Sequence, residues 1–180
     1  TALGLPSTCL DATLMVAFSD PSSPFAYAHW VGDGSVIARR KDGGDPLVYQ
    51  VVYPDGMPFY PNYYLSKDAQ DHFSVAKPCR ATYSCNDPEH PRIGSWDPYE
   101  RYHYWLSFDK DVYDIVALLS DGAQSFRDKD NVPISEDQVF KEVLAVKVVT
   151  GEFMARRCKR FLANCAPGVT HYDDFSVGAL

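Results

Sequence analysis

The stretch Asp114-Ile115-Val116-Ala117-Leu118-Leu119-Ser120-Asp121-Gly122 decides how this chain is read. Ile115 to Leu119 is a continuous apolar run of strand length, the pattern of a strand buried on both faces. It stops at Ser120-Asp121-Gly122, where glycine permits a tight turn and a carboxylate is left at the strand's tip. Strand tips that carry an acid into a cleft are recurrent places for metal or acid/base chemistry. Asp-Gly alone marks a turn at least as readily, so the weight of this carboxylate depends on what the chain sets beside it.

Upstream, the sequence reads as strands. Ala12 to Phe18 and Phe25 to Val31 are separated by the turn Ser19-Asp20-Pro21-Ser22-Ser23-Pro24, which predicts an antiparallel hairpin. Gly32-Asp33-Gly34 ends the second strand with another carboxylate set between glycines. Ser35 to Arg40 and Leu47 to Tyr53 follow, making three or four consecutive strands of an antiparallel sheet. Pro54 to Arg101 is a long excursion rich in proline and tyrosine, with short strands expected at Asn62 to Leu65 and Phe73 to Ala76. Its aromatic side chains suit either packing among themselves or a sugar- or peptide-binding surface. Tyr102 to Phe108 then leads, through Asp109-Lys110-Asp111, into the apolar strand.

Downstream, helical signals take over. Ser135-Glu136-Asp137-Gln138 is a capping box, and the helix behind it sets Val139, Phe140, Val143 and Leu144 on one face. A second helix is expected from Gly151 to Asn164, capped by Thr150 with Glu152 in its first turn. Its apolar stripe is Met154, Cys158, Phe161, Leu162 and Cys165, which leaves Arg156, Arg157, Lys159 and Arg160 as a solvated face. A last strand, Phe175 to Leu180, returns to the sheet. Strands, then helices, then one returning strand predict an α+β layered fold.

Length and composition bound the function. A chain of 180 residues fits one domain whose core needs no disulfide staples. With 46% hydrophobic and 23% charged residues, the balance is that of a folded chain rather than a disordered one. A formal net charge of −7 argues against general binding to nucleic acid or anionic membrane, which needs a basic face. No apolar run approaches the ~18 residues of a membrane-spanning helix, and no secretory signal pattern precedes the first strand. Five dispersed cysteines favour a reducing, cytoplasmic setting. Cys79 and Cys85 match no common zinc spacing, and neither His72 nor His90 completes one. The chain begins at Thr1 rather than Met, so a processed or truncated piece is expected.

Three acidic points share one design. Asp33, Asp121 and Asp173 each stand where a strand begins or ends beside a turn. If those ends lie along one edge the carboxylates converge, and convergent carboxylates repel unless a hard divalent cation neutralises them. Mg²⁺ and Mn²⁺ prefer oxygen ligands and keep several waters, one of which can become a nucleophile. His29 and His103 fall within strand-like runs, whereas His171, two residues before Asp173, suits either proton transfer or a turn. There is no Gly-x-Ser-x-Gly, no phosphate-cradling glycine loop and no His-Glu-x-x-His.

In their order, these motifs resemble the metal-dependent protein phosphatases of the PPM (type 2C) family. Ser7-Thr8 leads into Ala12-Thr13-Leu14; Val31-Gly32-Asp33-Gly34, Leu119-Ser120-Asp121-Gly122 and Asp173-Asp174-Phe175-Ser176-Val177 follow. The likeness spans nearly the whole chain. It implies an antiparallel β-sandwich flanked by helices, and two Mn²⁺ or Mg²⁺ ions bridged by a water that attacks phosphoserine or phosphothreonine. It implies Asp121 and Asp173 as core metal ligands and Asp33 as the ligand of a loosely held additional metal. The family's earlier Asp-Gly motif has no counterpart in Thr1 to Thr8, and no acid follows Asp121 at Ala123, Gln124, Ser125 or Phe126. Residues 1–180 therefore resemble the C-terminal two-thirds of one such domain, with an incomplete ligand set. The activity this implies is serine/threonine phosphatase action on a phosphoprotein. Two alternatives stand beside it: a catalytically silent relative that binds a protein partner through the 54–101 excursion, and an aromatic-rich ligand-binding β domain without phosphate chemistry.

Overall fold

The computed structural model describes residues 7–53, 56–76, 81–86, 94–96, 104–164 and 169–180. Its strands are β1 (Leu14–Ser19), β2 (Phe25–Val31), β3 (Gly34–Arg40), β4 (Leu47–Val52), β5 (Ala81–Cys85), β6 (Gly94–Trp96), β7 (Tyr104–Asp109), β8 (Tyr113–Leu119) and β9 (Val177–Ala179). Its helices are α1 (Asn62–Leu65) and α2 (Lys67–Ala76) between β4 and β5, then α3 (Glu136–Leu144) and α4 (Phe153–Asn164) between β8 and β9. Short 3-10 turns precede β1 and follow β8.

Every strand pairing is antiparallel, in two sheets of order β1-β2-β7 and β6-β5-β4-β3-β8-β9. The strands at the middle of the larger sheet are two-sided, as the apolar run predicts. On one face Val36 and Ala38 of β3 and Val116 of β8 join Ala26, Ala28 and Trp30 of β2 and Phe108 of β7 in a shared core. Trp30 stacks on Tyr104 with ring centroids 4.7 Å apart. On the opposite face Ile37, Ile115, Ala117 and Leu119 pack with Val139, Phe140 and Val143 of α3 and with Met154 and Phe161 of α4. Each fully buried Val, Leu, Ile, Phe or Met side chain among them contributes ~1.5–3 kcal/mol by leaving water. The chain is thus a mixed α/β fold of antiparallel sheets with few helices, and two sheets sharing one core are compatible with a sandwich.

The helix signals hold for α3, whereas Thr150 and Glu152, expected as cap and first-turn acid of the second helix, both precede it. Ser135 caps α3 by accepting the Gln138 backbone N–H at 3.3 Å, and all four predicted apolar positions of that helix are buried. Helix α4 starts at Phe153, two residues later than expected; within its stripe Met154 and Phe161 are buried and Cys158 half-buried, but Leu162 is exposed, and Cys165 lies outside the described residues. The basic face is not wholly solvated, because Arg157 reaches back to the carbonyl and carboxylate of Glu142 on α3. Arg39 of β3 fastens the same helix to the sheet. Its guanidinium donates to both Asp114 oxygens, at 2.9 and 2.6 Å, and to the carbonyls of Leu144 and Val146.

Three expectations are corrected. The first four strands do not form one sheet, since the chain leaves the small sheet at Gly32-Asp33 and enters the large one at β3; it crosses again between β7 and β8. The segments expected as short strands at 62–65 and 73–76 are helical, in α1 and α2. Tyrosine's strand preference yields there to packing: helical turns gather Phe59, Tyr63 and Phe73 into a cluster with centroids 4.9 to 5.2 Å apart. Ser66 Oγ accepts the Ala69 N–H at 3.2 Å, and Lys67 pairs with Asp71 one turn on, at 3.0 Å. Finally, β5 and β6 extend the large sheet from within the excursion, where the sequence gives no strand signal beyond scattered aromatics.

One face stays open. The outward side of the small sheet carries Leu14, Val16 and Phe18 of β1, Phe25 of β2 and Trp105 of β7, all exposed, whereas the outward side of the large sheet is covered by α3 and α4.

Candidate metal centre

Asp33 occupies the two-residue link between β2 and β3. The glycines on either side hold φ of +103° and +117°, values that side chains rarely tolerate, and they turn the chain from one sheet to the other. A Cβ on Gly32 would come within 2.5 Å of Thr13 Oγ1. The missing side chain is what lets Thr13, the residue before β1, donate its hydroxyl to Asp33 Oδ1 at 2.7 Å.

Asp121 opens the 3-10 turn that follows β8. The turn lies directly against the segment before β9, since a Cβ on Gly122 would stand 2.3 Å from the Asp174 carbonyl oxygen. Ser120 stitches the two segments together. Its hydroxyl donates to Asp174 O at 3.0 Å and accepts from Ser176 N at 2.9 Å, while its own N–H donates to Ser176 O at 3.0 Å. This contact carries Asp173 to the neighbourhood of Asp121. Asp173 Oδ1 accepts the Asp174 N–H at 2.8 Å, and His171 Nδ1 lies 3.0 Å from the Asp173 carbonyl with its ring against Phe126. His171 therefore serves the turn.

The electrostatics report the convergence. The Asp121 carboxyl is pushed above its ordinary value, first by partial desolvation, then by the charges of Asp33 and Asp173. Asp33 and Asp173 thus both lie near enough to Asp121 for their charges to act on it. Among the described residues none of them forms an ion pair. An all-oxygen set of this kind fits a hard divalent cation such as Mg²⁺ or Mn²⁺, held in part through water. No three His, Cys, Asp or Glu side chains among the described residues stand close enough to ligate one ion directly.

Four further residues belong to this edge. The Tyr60 hydroxyl is pushed up by burial and then by the charges of Asp33 and Asp121, and that of buried Tyr53 by burial, Tyr104 and then Asp33. Asp11 adds a weaker push on Tyr60 and Tyr63, and Thr13 orients Asp33. None was identifiable as a site residue from spacing, because Tyr53 and Tyr60 reach the edge only through the path of the chain after β4. The one available signal was Thr13, within the Ala12-Thr13-Leu14 motif. Comparison with protein-family models, with curated proteins and with solved structures returns no match.

Proposed function

We propose that this carboxylate edge holds Mn²⁺ or Mg²⁺ and that the chain is a PPM-type phosphatase domain, hydrolysing phosphoserine or phosphothreonine in proteins. The observation that supports the reading is the charge of Asp33 and Asp173, from turns far apart in sequence, acting on Asp121, whose turn lies against the segment that carries Asp173. A bound divalent ion there supplies a water of lowered pKa and a Lewis acid for a phosphoryl oxygen. Asp121 and Asp173, with segments clamped through Ser120, would hold the ion, and Asp33, fixed by Thr13, would reach it through water. The protonated Tyr60 hydroxyl offers a donor beside them. In an acidic chain such a site is where a dianionic phosphate finds positive charge.

The test is Mn²⁺ titration by calorimetry together with hydrolysis of a phosphoserine peptide, in the wild type and in D121N and D173N. Saturable binding and turnover, both lost in the variants, are expected; binding unaffected by either substitution refutes the site. The second reading, a phosphatase-like domain that binds a protein partner, draws on the open aromatic face of the small sheet, since apolar patches of that kind mark interaction surfaces. Metal binding without turnover would favour it.

A further inference from the structure

Beside the carboxylate edge lies a groove of about 360 Å³, walled by residues that precede β1 and by the α1–α2 region, among them Asp11, Tyr60, Asn62, Tyr63, His72 and Phe73. Tyr60 belongs to both places, since its hydroxyl also feels the charges of Asp33 and Asp121. The groove therefore opens within a few residues' reach, in an extended peptide, of any phosphate held at the edge.

Its chemistry is selective. Among the described residues that line it, Asp11 is the one carboxylate and none is Lys or Arg, so these walls present negative charge and aromatic faces. Asp11 is aimed by a partner: Asn62, only 7% exposed, donates Nδ2 to Asp11 Oδ1 at 2.9 Å. The other end of that amide, Oδ1, is buried without a hydrogen-bond partner. Tyr60, Tyr63 and Phe73 supply ring faces, and the Tyr63 and Phe73 centroids lie 4.9 Å apart. His72 turns Nδ1 toward the Asp68 carbonyl at 3.3 Å and so faces its own helix with that atom. A carboxylate held in place by a buried amide and flanked by aromatic walls is the complement of a guanidinium, which is planar, rich in donors and weakly hydrated. An anion would meet the Asp11 charge there, and a purely apolar side chain would gain nothing from that carboxylate.

Resting on the phosphatase reading above, we propose that this groove takes an Arg or Lys side chain close in sequence to the phosphorylated residue, so that the protein selects phosphoprotein segments with a basic neighbour. Substrate choice is then set by Asp11, which is separate in the chain from all three predicted metal-site carboxylates.

The test uses fluorescein-labelled phosphoserine peptides with one Arg placed in turn at each position from three before to three after the phosphoserine. Matched peptides carry Ala or Glu instead, and each sequence is also made without phosphate. Fluorescence anisotropy with Mn²⁺ present should show one Arg register binding about tenfold more tightly than its Ala counterpart, and the Glu peptide more weakly than either. Asp11→Asn, which matches the native side chain in shape, should bring the Arg and Ala peptides to within about twofold. Asp11→Arg should reverse the order in favour of Glu. Equal binding of Arg and Ala peptides by the wild type overturns the proposal, as does a preference unchanged in both variants. Failure of the phosphatase reading has a different signature: phosphorylated and unphosphorylated peptides bind alike and none is hydrolysed, while the Arg preference and its loss in Asp11→Asn persist.

Discussion

Replacing Asp121 by Asn should change the sign of its effect on stability when Mn²⁺ is added. Without the ion, the substitution removes one of three like charges. Two unit charges ~7 Å apart in near-aqueous surroundings interact by ~0.6 kcal/mol. Two such neighbours, Asp33 and Asp173, therefore cost the native state about 1 kcal/mol at most, because the Asp121 side chain stays exposed and solvent screens it. In a chain of this length ~1 kcal/mol corresponds to a rise of ~2–4 °C in Tm. The pH dependence follows from the raised carboxyl. The folded state binds its proton more tightly than the unfolded chain, whose value is near 3.8. The wild type is therefore free of the penalty below that value and loses stability as the pH rises through the window above it, whereas D121N does not. Mn²⁺ at a hundred times its Kd adds ~2.7 kcal/mol to the wild type, and a neutral amide forfeits most of this. Calorimetric melts at pH 7 and low ionic strength, in EDTA and in Mn²⁺, read both effects. If D121N melts below the wild type in EDTA, or shows the same upward shift with Mn²⁺, the carboxylates do not form a shared cation site.

Other substitutions probe the scaffold. Gly122→Ala would place a methyl 2.3 Å from the Asp174 carbonyl, so backbone must move; a loss of ~1–3 kcal/mol and a smaller Mn²⁺-induced Tm shift are expected, and a variant as stable and as responsive as wild type would show that the two turns are not in contact. Arg39→Met removes the fork to Asp114 and two carbonyl bonds at the end of α3. It should lower the urea midpoint by the equivalent of ~2 kcal/mol with an unchanged m value, and no shift would count against the fastening role. Trp105 is 61% exposed and stacks on His29 at 4.3 Å. Trp105→Ser should cut binding of an apolar fluorescent dye while costing under ~1 kcal/mol; undiminished dye binding would mean that this face is not the exposed apolar surface.

What the sequence makes legible is what local physics dictates. The run 115–119 is apolar because β8 has a core on each face, and Ser135 and Gln138 cap α3 because the first backbone N–H groups of any helix need acceptors. Asp33, Asp121 and Asp173 could be singled out because glycines and turns beside strand tips leave a local trace. The sheet change at Gly32-Asp33 leaves none, since a two-residue link reads equally as a hairpin turn, and only the sharing of Trp30 and Val36 in one core settles where β3 goes. Asn62 to Leu65 reads as a strand because Tyr63 and Tyr64 favour one; its helical turn is fixed by the packing of Phe59 and Phe73 on Tyr63, contacts that no short window of sequence contains.

Thr13 and Asp33 belong to the rim of the small sheet, whereas Asp121 and Asp173 are carried by the large one. An ion shared among them would act as a rivet through two plates, resisting the slide of one sheet over the other. Hydrogen exchange would then slow at amides of β1, β2 and β7 that lie far from the ion, and the tightness of ion binding and the breathing of the sheets would be two measures of one equilibrium.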